Sequence, residues 1–123
     1  MNMRLIIIVG IGSFLGGVLR YLLVQFTQSR AMAEFPFGTL LVNVIGSFLI
    51  GLIFGLAAKF SLSQEWRFFL MTGALGGFTT FSAFSLETAN MLRNGQLSMA
   101  LLYILGSLIL TIPFTFLGIY ISR

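Results

Sequence analysis

The sequence contains no cysteine and no histidine, and it has only seven basic and three acidic residues among 123. The missing residue types exclude disulfide bonds, thiol catalysis, the usual zinc and haem sites and a Ser-His-Asp triad. Three acidic residues are also too few for a carboxylate-rich metal site. Soluble domains carry about 25% charged residues, whereas this chain carries 8%. The composition therefore argues against a soluble monomer and excludes a disordered chain.

Apolar residues dominate what is present: 58% of the chain is hydrophobic, and the mean hydropathy is +1.03. One membrane span needs about 20 apolar residues, so four spans use about 80 and leave room for short connections only. The apolar N-terminus resembles a signal peptide, but it lacks a convincing small-residue cleavage site, and we interpret it as a retained first span. The basic residues are scattered, which argues against a nucleic-acid partner.

Charged residues separate the apolar runs and predict an all-α membrane protein with four transmembrane helices in a single domain, residues 1–123. The expected spans lie near residues 5–26, 37–58, 68–92 and 97–121. Polar connections are predicted at Thr27–Arg30, Ser61–Glu65 and Asn94–Gln96. Because all of them are short, neighbouring spans must run antiparallel.

Small residues recur at helix-packing spacing. Gly12 and Gly16 form one pair, and Asn43, Ser47, Gly51 and Gly55 step by four along one ridge of the second span. Such ridges allow close approach of helix backbones in lipid. They indicate either tight packing inside one bundle or oligomerisation. Four helices enclose little room for a protected pathway, so we expect a dimer.

The basic residues hardly choose an orientation in the membrane. The side with both termini and the second connection carries Arg4, Lys59, Arg67 and Arg123, and the other side carries Arg20, Arg30 and Arg93. The positive-inside rule needs an excess on one side, and four against three is almost none. This balance predicts either other orienting signals or insertion in both orientations with antiparallel pairing.

The middle of the third span contains two adjacent glycines, Gly76 and Gly77, followed by Thr79 and Thr80. Glycine and β-branched residues both weaken a helix. Non-helical backbone at membrane depth occurs where it is buried in protein or lines a wet cavity, and broken helices often form ion sites. The alternative is an intact helix with a glycine-rich packing face, and the glycines alone favour neither.

Two features beside the predicted break could contact an anion. Phe81 and Phe84 share a helix face, and the positive edge of an aromatic ring can meet a small anion in a dry site, although such pairs more often serve packing. Asn43 is an amide in the second span that is costly in hydrocarbon unless it is satisfied. Its NH₂ group could donate either to an anion or to a neighbouring helix.

The fourth span carries hydroxyl groups at four-residue spacing: Tyr103, Ser107, Thr111 and Thr115. They indicate a polar track, or hydroxyls that bond to the carbonyls of their own helix. Two charged residues lie inside span ends. Arg20 could attract anions or snorkel to the headgroups, and Glu87 could pair with a basic residue or donate a hydrogen bond when neutral.

Three segments, Gly12–Tyr21, Gly38–Gly46 and Gly73–Ser85, resemble in order and position the Fluc (CrcB) fluoride-channel family. The resemblance covers nearly the whole chain, and the three motifs together are specific for this family. It implies an antiparallel, dual-topology homodimer of four-helix subunits, with the third helix broken near its middle. Two antiparallel pores would conduct fluoride passively out of the cell, through the inner membrane of a bacterium.

The resemblance also assigns residues. It places the anion pathway at Asn43, Phe81, Phe84, Arg20, Tyr103, Ser107 and Thr111. A structural sodium ion would be held at the dimer centre by the backbone carbonyls of Gly76 and Thr79. Ala83 stands where the family pattern has threonine, so this chain offers no hydroxyl at that position. Thr111 stands where serine is usual, which is a milder departure because the hydroxyl is kept.

Three other classes fit the composition less well. A small dual-topology drug exporter needs an acidic residue in the first span, which has none. An intramembrane hydrolase is disfavoured by the lack of histidine. A non-transporting assembly subunit needs neither a broken third span nor a buried Asn43.

Overall fold

The computed structural model describes residues 1–123, which form helices and short connections only. The helices are α1 (Met3–Ala31), α2 (Phe37–Lys59), α3 (Gln64–Arg67), a π-helix (Phe68–Leu75), α4 (Gly76–Phe78), α5 (Phe81–Arg93) and α6 (Leu97–Ser122). Four stretches are long and apolar enough to cross a membrane, and the composite stretch Gln64–Arg93 is the third span. The predicted four-span, all-α architecture is confirmed.

The first connection lies further along the chain than predicted. Thr27–Arg30 lies in the last turn of α1, which ends at Ala31. Met32 caps the helix with a backbone φ of 48°, and its N–H donates to the carbonyl of Gln28. The predicted connection was wrong because the end of the apolar run was equated with the end of the helix. Gln and Arg are good helix formers, so α1 continues beyond its apolar part.

The other two connections are closer to expectation. Of Ser61–Glu65, the last two residues are already helical, because α3 begins at Gln64 and Ser63 caps it by accepting a hydrogen bond from the N–H of Trp66 at 3.4 Å. Asn94–Gln96 is a turn, as predicted, and Gly95 adopts there a φ of +74° that favours glycine.

The third span is broken at Thr79 and Thr80, which confirms the break predicted near residue 80. Both residues are extended, with φ −96° and ψ 158° at Thr79 and φ −150° and ψ 120° at Thr80. Helix α5 restarts at Phe81, and the Thr80 hydroxyl accepts a hydrogen bond from the N–H of Ala83 at 3.1 Å. The alternative of an intact, glycine-rich helix is wrong.

Close helix packing within the chain uses the predicted small residues. Helix α1 packs on the π-helix, and α2 packs on α6. A Cβ atom added at Gly12 would lie 2.6 Å from the carbonyl oxygen of Phe69, and one added at Gly51 would meet the carbonyl of Thr115. These glycines therefore serve packing inside the bundle, where only a bare Cα fits.

Candidate functional site

A cavity of about 300 Å³ lies beside the break in the third span. Its polar and aromatic lining comes from α2 (Asn43 and Ser47), from the third span (Gly76, Thr79, Thr80, Phe81 and Phe84) and from α6 (Ser107 and Thr111). The structure thus brings together all the predicted site residues except Arg20 and Tyr103, which lie outside this lining.

Asn43 binds the backbone of the break with both ends of its amide. Its Nδ2 donates to the carbonyl of Thr80 at 3.1 Å, and its Oδ1 accepts from the N–H of Thr80 at 2.8 Å. The helix–helix alternative is therefore realised in the structure. An amide NH₂ has two hydrogens, and only one of them has a partner here, so Asn43, which lines the cavity, keeps one free donor.

The break leaves the backbone carbonyls of residues 76–79 without their α-helical donors, and for two of them the donor is diverted to a side chain. In an α-helix the carbonyl of Gly76 would accept from the N–H of Thr80, but that N–H donates to Asn43. The carbonyl of Thr79 would accept from the N–H of Ala83, which donates to the Thr80 hydroxyl instead. Gly76 and Thr79 are the two residues whose carbonyls the sequence resemblance assigned to a cation.

No carboxylate is among the cavity residues, and the chain contains no cluster of acidic, cysteine or histidine residues that could hold a metal. A cation beside the break would therefore be held by neutral oxygens. Hard cations take oxygen ligands, and few charged ligands favour a monovalent ion over a divalent one. The donor set at Gly76 and Thr79 fits sodium.

Phe81 and Phe84 lie side by side, with ring centroids 5.5 Å apart and planes inclined by 50°. Phe84 is half-buried and also contacts Tyr103, at 5.0 Å between ring centroids. Phe81 is 77% exposed in the single chain. A large ring at the break that its own chain leaves uncovered is poorly explained by packing within the subunit.

The hydroxyl residues of α6 differ in whether they donate to carbonyls of their own helix. Thr111 donates to the carbonyl of Ser107 at 2.6 Å, and Thr115 donates to that of Thr111 at 3.1 Å. For these two threonines the back-bonding alternative is realised, and their protons are used within the helix. Ser107 is buried and lines the cavity, and its hydroxyl proton is not used in this way.

Arg20 connects α1 to the break. Its Nε donates to the carbonyl of Gly77 at 3.0 Å, and the side chain is half-buried. A guanidinium carries five donors, so the two terminal nitrogens remain available. The position differs from simple snorkelling, because the guanidinium is held against the third span.

Glu87 accepts hydrogen bonds from two hydroxyls rather than pairing with a basic residue. Thr39 Oγ1 donates to it at 3.0 Å, and the Tyr103 hydroxyl donates at 3.2 Å. The carboxylate thus joins α2, α5 and α6. Sequence reasoning missed Thr39, although a signal was present: Thr39 stands four residues before Asn43 and extends the same ridge by one turn.

Comparison with known proteins matches residues 7–119 to the family model described as CrcB-like protein, Camphor Resistance (CrcB). Three bacterial relatives are each named fluoride-specific ion channel FluC. The one from Rhizobium meliloti is 48% identical over 122 residues, covering 98% of both chains. The one from Chlorobium chlorochromatii is 50% identical over 119 residues (96% of this chain, 92% of the relative), and that from Agrobacterium fabrum is 45% identical over 119 (96% and 95%).

Proposed function

Because the chain belongs to the CrcB-like family, we propose that it is a fluoride-selective channel that exports cytoplasmic fluoride by passive conduction. The four apolar helices and the bacterial relatives make it a multi-pass bacterial membrane protein, and we assign it to the inner membrane. Conduction through a channel is not a chemical reaction, and the chain is not an enzyme.

The observation that carries the proposal is the cavity beside the break, which is lined by neutral polar residues and by the rings of Phe81 and Phe84, with no carboxylate. A small anion that enters it loses water and needs replacement partners. The free hydrogen of Asn43 Nδ2 and the hydroxyl of Ser107 are donors, and the edges of Phe81 and Phe84 carry partial positive charge. Partners of this kind stabilise an anion without binding it so tightly that it cannot leave.

Arg20 has a separate part in the proposed path. A positive charge beside a passage raises the local concentration of anions. Its Nε is fixed to the carbonyl of Gly77, so the charge stays beside the break rather than moving with the headgroups. Tyr103 and Glu87 lie beyond Phe84, where the path continues along α6.

We propose that the working unit is an antiparallel homodimer in the lipid bilayer. Two observations support pairing. The basic residues divide four to three between the two sides of the membrane, and Phe81 is 77% exposed at the edge of the cavity. A second copy would cover Phe81 and close the cavity from the side, which four helices alone do not do.

We further propose a structural sodium ion held by the carbonyls of Gly76 and Thr79. Support comes from the diversion of their helical donors to Asn43 and Thr80. When bound, the ion would neutralise the oxygens released by the break and link them to those of a second copy. Two carbonyls are fewer than the six or so oxygens that a hard cation takes, which agrees with a site shared between subunits.

A flux measurement tests the proposed function directly. The purified protein is reconstituted in liposomes loaded with potassium fluoride or potassium chloride, and efflux is started with valinomycin and followed with ion-selective electrodes. Fluoride efflux well above that of protein-free liposomes, with chloride efflux at their level, is expected. Equal efflux of both anions, or of neither, would refute a fluoride-selective channel.

A further inference from the structure

The side chain of Gln28 binds the backbone of the connection between α1 and α2, residues 32–36. Gln28 Nε2 donates to the carbonyls of Ala33 and Phe35, both at 2.9 Å, and its Oε1 accepts from the N–H of Gly38 at 3.0 Å. One amide thus fixes the backbone at three points. A connection that only had to reverse the chain would not need such a constraint.

The constrained residue Phe35 touches the ion-pathway side of the molecule. Its half-buried ring meets the ring of Tyr103 edge-on, with centroids 5.4 Å apart and planes at 81°. Tyr103 is fully buried and contacts Phe84 at 5.0 Å, and Phe84 contacts Phe81 at 5.5 Å. A continuous row of rings therefore runs from the connection to the cavity.

Tyr103 is the ring through which a displacement of Phe35 would pass. Its hydroxyl donates to Glu87 at 3.2 Å, while its ring is packed against Phe35 and against Phe84. Edge-directed contact with an ion depends on ring orientation, and functional groups must be held to within about 10–20° by their supporting packing. With no ring at position 35, Tyr103 would gain free space beside it and Phe84 would lose its fixed support.

We propose that Phe35, held by Gln28, is a positioning residue that sets the orientation of Tyr103 and Phe84 in the ion pathway. The proposal rests on the proposed function for its consequence, conduction, but not for the ring contacts themselves. Neither Phe35 nor Gln28 touches the ion; they act through Tyr103.

The test compares Phe35→Leu and Gln28→Leu with matched controls on the exposed side of α1, Phe26→Leu and Gln25→Leu. Loss of one edge contact should lower fluoride efflux per reconstituted dimer about three- to tenfold, with a fall in the ratio of fluoride to chloride efflux. Phe35→Tyr keeps an aromatic ring at this position and should keep the fluoride efflux and the ratio of fluoride to chloride efflux at their wild-type values. The controls should match the wild type.

A second measurement reads Tyr103 without any flux. The protein is labelled with 3-fluorotyrosine, and the Tyr103 resonance is assigned by its loss in Tyr103→Phe; the exposed Tyr21 and Tyr120 serve as internal references. Phe35→Leu and Gln28→Leu should shift or broaden the Tyr103 signal alone.

The outcomes separate the two proposals. Altered efflux together with an altered Tyr103 signal supports positioning. Normal efflux in both variants overturns it. Reduced efflux with an unchanged Tyr103 signal also overturns it, because the loss would then not act through Tyr103. A role in assembly alone would change the yield of dimer but not the efflux or selectivity of each dimer. If the wild type itself conducts no fluoride, the proposed function fails, and the resonance still decides whether Phe35 positions Tyr103.

Discussion

Replacing each ring of the Phe81–Phe84 pair with isoleucine separates packing from ion contact. Isoleucine keeps an apolar side chain of roughly similar volume but removes the electropositive ring edge. Phe54 lies in α2, is exposed and is absent from the cavity lining. Phe54→Ile is therefore the matched control. We expect Phe81→Ile and Phe84→Ile to abolish most fluoride conduction while the dimer stays intact.

The structure bounds what packing alone could cost. Phe81 is 77% exposed in its own chain, so little of the roughly 1.5–3 kcal/mol available from burying a large apolar side chain is at stake within the subunit. The contact with Phe84 adds about 0.5–1.5 kcal/mol. For Phe81, a packing role within its own chain thus predicts a change in stability below about 1.5 kcal/mol and near-normal flux.

An ion-contact role predicts a different pattern. An anion left without a partner in a low-dielectric passage faces a higher barrier, and a hundredfold loss of flux corresponds to about 2.7 kcal/mol. Each variant is purified, its dimer is verified by size-exclusion chromatography, and fluoride efflux from liposomes is measured. Phe→Met at either position should give intermediate flux because methionine is polarizable. Near-normal efflux in both isoleucine variants would refute the ring-edge mechanism and leave Asn43 as the main pore candidate.

Three further predictions follow from other features. Two lysines added to one terminus should bias the orientation of the chain in the membrane and abolish fluoride efflux when that variant is expressed by itself. Co-expression with an oppositely biased variant should restore the efflux. A biased variant that conducts when expressed by itself would disprove antiparallel pairing. Gly16→Ala should lower the Tm and reduce the free energy of unfolding by about 1–3 kcal/mol, because its Cβ would meet the carbonyl of Ala74. Gly17→Ala is the control and should leave the Tm unchanged, because no atom lies within 4 Å of its Cβ. Equal Tm values in the two variants would contradict the observed packing. Exchanging sodium for N-methylglucamine should lower both dimer stability and efflux, with sodium restoring them; indifference to the cation would exclude the proposed sodium site.

Features carried by local sequence were predictable, and those set by tertiary contacts were not. Long apolar runs predicted the spans. Gly76–Gly77 with the following threonines located a weak point in the third span, because these residues act through the backbone of their own segment, but the choice of a break over an intact helix came from the family resemblance. The π-helix of Phe68–Leu75 was missed. Its sequence carries no pattern that separates π from α hydrogen bonding, and its backbone packs closely against Gly12 and Gly16 of α1.

The candidate site was predicted as a set of residues but not as a set of contacts. The pattern of four along α2 identified Asn43, yet not that its amide would bind Thr80 on another span. The partners of Glu87 come from α2 and α6, and nothing in a single sequence relates positions 39, 87 and 103. The spacing of the α6 hydroxyls was visible, whereas the back-bonding of Thr111 depends on side-chain rotamers.

The hydrogen bonding of the break shows how non-helical backbone is accommodated at membrane depth. No buried side-chain nitrogen or oxygen lacks a partner, so no free energy is lost to unsatisfied buried side chains. Asn43 replaces the helical partner of Thr80, and the Thr80 hydroxyl replaces that of Ala83. Each substitution satisfies one N–H and releases one carbonyl, at Gly76 and Thr79. The same few bonds leave the carbonyls of Gly76 and Thr79 and one hydrogen of Asn43 Nδ2 without partners, and both proposed ion sites depend on these groups.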